Sequence, residues 1–87
     1  MIGYTVALVR AVRRAPKHKI GVQLGLACIE AGIPVTQIAK EFRVTRPTIY
    51  AWFTGKANPN WRQEEAIAKY INKLAYAILN KFFIESV

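Results

Sequence analysis

Pro16, Gly32, Pro34, Pro47, Gly55 and Pro59 cut the first sixty residues into short pieces, whereas no Gly or Pro occurs after residue 59. That asymmetry constrains the fold more than any other feature. Proline lacks a backbone N–H and clashes with the preceding turn, so it ends helices or opens them. Glycine is favoured just past a helix C-terminus, where the backbone turns left-handed. The punctuation therefore predicts several short helices followed by one long one.

Apolar spacing fills in the pieces. Ile20, Leu24, Ala27, Cys28 and Ala31 recur at intervals of three and four, which predicts a helix from about 17 to 31, stopped by Gly32. Pro34 suits the first turn of the next helix, "PVTQIAKEF", with Val35, Ile38, Ala39 and Phe42 on its inner side. Arg43 and Val44 form a tight connection. Thr45 is a good N-cap and Pro47 a first-turn residue for a third helix over 46–54 that ends at Gly55. "GKANPN" reads as a loop. Trp61 opens a helix running to about residue 84, with Gln63, Glu64 and Glu65 at the positive end of its dipole. Ala66, Ile67, Tyr70, Ile71 and Leu74 make its first half amphipathic, but "LAYAILNKFFI" is apolar nearly all round. Residues 4–14, "YTVALVRAVRR", are open between strand and helix. Thr5, Val6, Val9 and Val12 favour the former; Ala7, Leu8, Arg10, Ala11 and the terminal arginines favour the latter. The expected fold is all-α, one domain over 1–87 with about four to five helices.

Charge narrows the function. Thirteen Lys and Arg stand against five Asp and Glu, giving a net charge of +8 on 87 residues. A small domain with this balance expects a polyanion. No apolar run reaches the roughly 18–20 residues of a membrane span. The N-terminal arginines follow the apolar stretch instead of preceding it, unlike a signal peptide. The single cysteine, Cys28, lies on an apolar stripe and excludes an internal disulfide and a cysteine-based zinc site. A cytoplasmic protein is expected. Nothing resembling a catalytic triad, a paired-carboxylate site, a metal cluster or a phosphate-binding glycine loop occurs, so the expectations are no enzyme, no cofactor, no metal and no small-molecule substrate.

The central pieces, residues 34–54, have the form of a helix-turn-helix. Ala39 stands where the two helices cross, and Ile38, Phe42, Val44, Ile49 and Trp52 face inward, with Phe53 also in the core. The stretch "AGIPVTQIAKEFRVTRPTIYAWFTGKANP" resembles the Cro/repressor-type helix-turn-helix proteins of phages and bacteria. Gly32, Ile33, Ile38, Ala39, Val44, Thr45, Thr48, Ile49, Trp52, Gly55, Lys56 and Pro59 match that family's pattern in register, and the likeness covers roughly residues 20–72. Two positions depart from it. Val35 replaces the usual Gln that touches phosphate at the start of the second helix, and Arg43 replaces the usual turn Gly.

The expected site follows from which residues face outward. Thr45, Arg46, Tyr50 and Ala51 are candidates for base contact in a major groove, Arg46 through guanine O6 and N7. Phosphate contact is expected from Gln37, Lys40, Arg43, Thr48, Thr54, Lys56 and Asn58. The amide of Asn60, in the same loop, is a further plausible anchor. Arg13, Arg14, Lys17 and Lys19 belong to a cationic block, 10–19 within the basic segment 1–19, that has no acid before Glu30 and is expected either as a solvated run or as an arm tracking phosphates or entering a minor groove. The long helix over 61–84 has more apolar face than one small core uses, so Tyr76, Ile78, Leu79, Phe82 and Phe83 are expected in a homodimer interface, to which "YTVALV" is a possible addition. The implied function is a sequence-specific, dimeric regulator of double-stranded DNA. The competing readings are a DNA-packaging or recombination accessory factor (small-terminase or excisionase-like) and a protein-interaction module that inhibits a host enzyme.

Overall fold

The computed structural model describes residues 4–86, and for residues 81–86 the backbone alone. They form five α-helices in the order α1 (Val6–Arg14), α2 (Ile20–Ala31), α3 (Val35–Phe42), α4 (Arg46–Phe53) and α5 (Trp61–Ser86). The stretch with mixed strand and helix preferences is α1. Thr5 caps it, its hydroxyl accepting from the Leu8 N–H at 3.1 Å. Val9 and Val12, three apart and therefore on one helical face, turn into the core. Packing against α2 overrides the strand preference of the β-branched residues.

Three helices end in the same way. After α2, the Ile33 N–H bonds to the Cys28 carbonyl at 2.9 Å and the Gly32 N–H to Ile29 at 3.2 Å. After α3, Val44 bonds to Ala39 at 3.0 Å and Arg43 to Lys40 at 3.3 Å. After α4, Lys56 bonds to Ala51 at 2.9 Å and Gly55 to Trp52 at 3.2 Å. This paired pattern is the Schellman motif, whose pivot residue must adopt a left-handed backbone. The pivots have φ of 70° at Gly32, 55° at Arg43 and 76° at Gly55. Pro34 stands one position earlier than expected. It is the N-cap of α3, and its carbonyl receives the Gln37 and Ile38 N–H groups at 3.1 and 3.3 Å.

Helix α2 is the hub, packing on α1, α4 and α5. Its first turn touches α4 so closely that a Cβ on Gly21 would lie 2.6 Å from the Trp52 carbonyl oxygen. Ile38, Ile49, Trp52, Phe53 and Ile67 are buried beside it. Phe42 meets Trp52 and Tyr70 edge-on, with ring centroids 6.3 and 5.4 Å apart, and so joins the helix-turn-helix to α5. The Tyr4 hydroxyl donates to the Ile33 carbonyl at 2.6 Å, fixing the start of the chain to the α2–α3 link. Tyr4 and Val9 thus pack on the chain's own core, whereas Val6 between them is exposed.

Helix α5 opens with a capping box. The Asn60 N–H bonds to Gln63 Oε1 at 2.8 Å, and the Gln63 N–H to Asn60 Oδ1 at 2.9 Å. Its 26 residues rise about 39 Å, close to the longest dimension of the molecule, 41 Å. Ile67, Tyr70, Ile71 and Leu74 face the core, whereas Ala66, expected among them, is exposed. Further along, Tyr76 and Leu79 are 68 % and 56 % exposed.

Burial raises the pKa of three groups in this core. It pushes the Cys28 thiol from 9.0 up to about 12 and raises the Tyr4 and Tyr70 hydroxyls above their usual value. A group whose folded pKa exceeds its unfolded one contributes stability that is full below the unfolded value and is lost as pH climbs through the folded one. The melting temperature should therefore fall progressively from about pH 9 upward. Thermal melts at intervals between pH 8 and 11 check this, and a level profile contradicts it.

Candidate nucleic-acid interface

The helix-turn-helix leaves one surface both basic and free of carboxylates. Thr36, Lys40, Arg43, Thr45, Arg46 and Pro47 line a shallow groove where the end of α3 turns into the start of α4. Lys40, Arg43 and Arg46 are all exposed. Glu41 lies on the far side of α3, facing a separate groove against α5 with Lys69 and Lys73. No acidic residue occurs anywhere between Glu41 and Glu64 in the sequence. Among the described residues the ion pair is Lys69–Glu65 at 3.7 Å, one turn apart on α5. The groove cations are thus uncompensated, and their field favours an anionic partner.

Thr45 sets the start of α4. Its hydroxyl accepts from the Thr48 N–H at 3.4 Å and shares a hydrogen bond with the Thr48 hydroxyl at 3.0 Å. Pro47 in the first turn has no N–H to leave unsatisfied. Ile49, Trp52 and Phe53 bury the inner face of the helix, which leaves Arg46 and Tyr50 outward, the latter 41 % exposed. Thr48 and Ala51, expected on the outward face with them, are half-buried.

A family model described as the helix-turn-helix domain of resolvase matches residues 25–55. The chain carries a helix-turn-helix over this stretch. Comparison with curated proteins and with solved structures gives no match. The family match spans the end of α2, all of α3 and α4, and Gly55, which is the stretch that builds the basic groove. It supports the motif without singling out the Cro/repressor type. Among the described residues no helix is long and apolar enough to cross a membrane.

The remaining candidate residues fall into three sets. Thr45, Arg46 and Tyr50 are exposed, and Ala51 is half-buried, its carbonyl accepting from Lys56 and Ala57. Gln37, Lys40, Arg43, Lys56 and Asn58 are exposed on α3, the turn and the loop after α4. Thr48 and Thr54 are half-buried, and the single hydroxyl hydrogen of Thr54 is donated to the Tyr50 carbonyl at 2.7 Å, so a phosphate there would compete with that bond. The cationic block is folded and is not an extended arm. Arg13 and Arg14 are exposed in the last turn of α1, Lys17 is exposed in the following turn, and Lys19 is half-buried with its ammonium 2.8 Å from the Gly55 carbonyl. Asn60, expected as an anchor, spends its side-chain oxygen on the cap of α5. Val35, which replaces a polar phosphate-contacting residue, is core. Of the dimer candidates, Tyr76, Ile78 and Leu79 are exposed, and the side chains of Phe82 and Phe83 lie outside the described residues.

Sequence reasoning passed over Trp61 and Arg62 as surface features. Trp61 is 68 % exposed, with the Arg62 guanidinium 5.1 Å from its ring centroid. The signal was present, since Trp61 stands outside the apolar spacing of α5.

Arg43 allows a direct test of the turn. Gly32 and Gly55 occupy the identical pivot without a Cβ, whereas a non-glycine residue there costs about 1 kcal/mol. Arg43→Gly should therefore raise stability by about 1 kcal/mol in denaturant titrations while weakening binding to DNA by removing a cation. A variant that is less stable would show that the Arg43 side chain supports the fold.

Proposed function

We propose that the chain is a sequence-specific double-stranded DNA-binding protein that places α4 in the major groove and acts as a dimeric transcriptional regulator of the Cro/repressor type. The observation that carries this is the carboxylate-free groove of Lys40, Arg43 and Arg46 around the outward first turn of α4. Lys40 and Arg43 neutralise phosphates and fix register, while Thr45, Arg46 and Tyr50 face the base edges. The protein binds and performs no reaction. Dimerisation is supported by the distal half of α5, where Tyr76, Ile78 and Leu79 stay exposed next to an already filled core. One eight-residue helix reads few base pairs, and pairing two copies supplies a second half-site.

The resolvase description of the matching family favours a second reading, a recombination accessory factor that uses the same motif with broader sequence tolerance. Selection of bound duplexes from a random pool, followed by the mass of the selected complex in light scattering, tests both. A regulator yields one two-fold symmetric sequence and two chains per duplex. A degenerate pool with larger assemblies favours the accessory role, and a single chain per duplex removes the dimer. Leu79→Glu, which places a charge on the exposed apolar face, should convert the two-chain complex to one chain and lower affinity at least tenfold.

A further inference from the structure

Gly55 is surrounded by residues from the opposite end of the sequence. A Cβ at this position would meet Lys19 Cδ and Val22 Cγ2 at 3.4 Å and Pro16 Cδ at 3.5 Å. The Lys19 ammonium donates to the Gly55 carbonyl at 2.8 Å. These contacts dock the α1–α2 turn, Pro16 to Lys19, against the C-terminal end of α4. The Lys19 ammonium is thereby held at the C-terminal end of α4, with Lys17 two residues before it on the same turn and Lys56 next to Gly55 in the chain. A second cationic cluster therefore stands at one end of α4, while Lys40, Arg43 and Arg46 stand at the other.

Eight residues of α4 rise about 12 Å, and the major groove of B-DNA is about 12 Å wide. A helix of this length seated in the groove has each end within reach of a different phosphate wall. Resting on the DNA-binding reading above, we infer that the Pro16–Lys19 turn is a second backbone anchor, which holds the phosphate strand opposite the one held by Lys40 and Arg43.

The lysines of the turn are prepared for this. Lys17 Nζ donates to the Arg13 carbonyl at the end of α1, and Lys19 Nζ to Gly55 just past the end of α4. Each ammonium has three hydrogens and uses one on a main-chain carbonyl, leaving two for phosphate oxygens. Gln23 Nε2 holds the turn from within, donating to the Lys17 carbonyl at 3.0 Å. Side chains already ordered in this way lose less conformational freedom on binding than free surface lysines. No carboxylate precedes Glu30 in the sequence to compete for them.

The test uses the full chain and one duplex taken from the random-pool selection. Lys17→Gln with Lys19→Met keeps the aliphatic stems and removes both charges. Removing one lysine–phosphate pair should reduce the slope of log affinity against log salt by about 0.9, so the double variant should lose close to 2 in slope. Its preference for the selected over a shuffled duplex should be unchanged. Phosphate ethylation of the duplex should block binding on both strands, and the double variant should lose that sensitivity on one strand only. An unchanged slope overturns the anchor. So does a normal slope with reduced sequence preference, because that pattern means Lys19 only positions α4. If the unsubstituted chain binds no duplex, the DNA-binding reading itself fails, whereas binding that depends on Arg46 and is indifferent to the turn removes the anchor alone.

Discussion

Phe53→Ala is expected to lower stability by about 3–5 kcal/mol, the usual cost of removing a buried aromatic ring. Phe53 is the largest of the fully buried side chains. A chain of this length has a total stability of about 4–13 kcal/mol, so the loss takes a large share of it. The ring packs at the α2–α4 crossing, where a Cβ on Gly25 would lie 2.9 Å from Phe53 Cγ and 3.1 Å from Val12 Cγ1. Gly25→Ala therefore fails for the opposite reason. Its methyl group overfills the crossing at about 1–3 kcal/mol, offset in part by about 0.5–1 kcal/mol of improved helix propensity. The two changes should not add. In the Phe53→Ala background the new methyl group enters space the ring has left, so Gly25→Ala should cost less there than in the parent chain. Urea titrations of the four proteins measure the coupling. Equal costs in both backgrounds would mean that α2 and α4 do not share this contact.

That crossing also marks where the sequence stopped being informative. Helix ends were legible because each depends on a local conformational rule. Gly32 and Gly55 supply left-handed pivots, Thr45 caps, and Pro47 tolerates the first turn. The inner face of α4 was legible for the same reason, since Ile49 and Trp52 recur at helical spacing. Gly21 and Gly25 were not read as a contact surface. They stand four apart on one face of α2, but only the arrival of Trp52 and Phe53 through space explains why a side chain is excluded there. Helix α1 was ambiguous because Val9 and Val12 satisfy a strand preference and a helical spacing alike, and packing on α2 decides between them. The same limit governs the site. Arg46 and Tyr50 could be assigned outward from the period of their own helix. The partner of Lys19 is 36 residues away, so its docking on Gly55 carried no local signal. Thr54 is the converse case, a residue that resembled a phosphate contact and whose hydroxyl hydrogen is spent one turn back on Tyr50.

Arg46→Ala is expected to cost about 1–3 kcal/mol in binding to the selected duplex, a loss of about 5- to 150-fold, and to relax the sequence preference at one base-pair position. The reasoning begins with its place at the first residue of α4, exposed and in a groove without carboxylates. A guanidinium there has two parallel donors to offer, a geometry that matches guanine O6 and N7 and that an ammonium cannot reproduce. Arg46→Lys is therefore the sharper variant. It keeps the charge, so the salt slope should be preserved, while discrimination at that base pair should be lost. Lys40→Ala provides the contrast, because a phosphate contact weakens every duplex alike when removed and reduces the salt slope by about 1. Affinities for a panel of single-position variants of the duplex, each at two salt concentrations, separate these patterns. If Arg46→Ala weakens all duplexes equally and changes the salt slope, then Arg46 holds the backbone, and base reading must fall to Thr45 and Tyr50 further along the outward face.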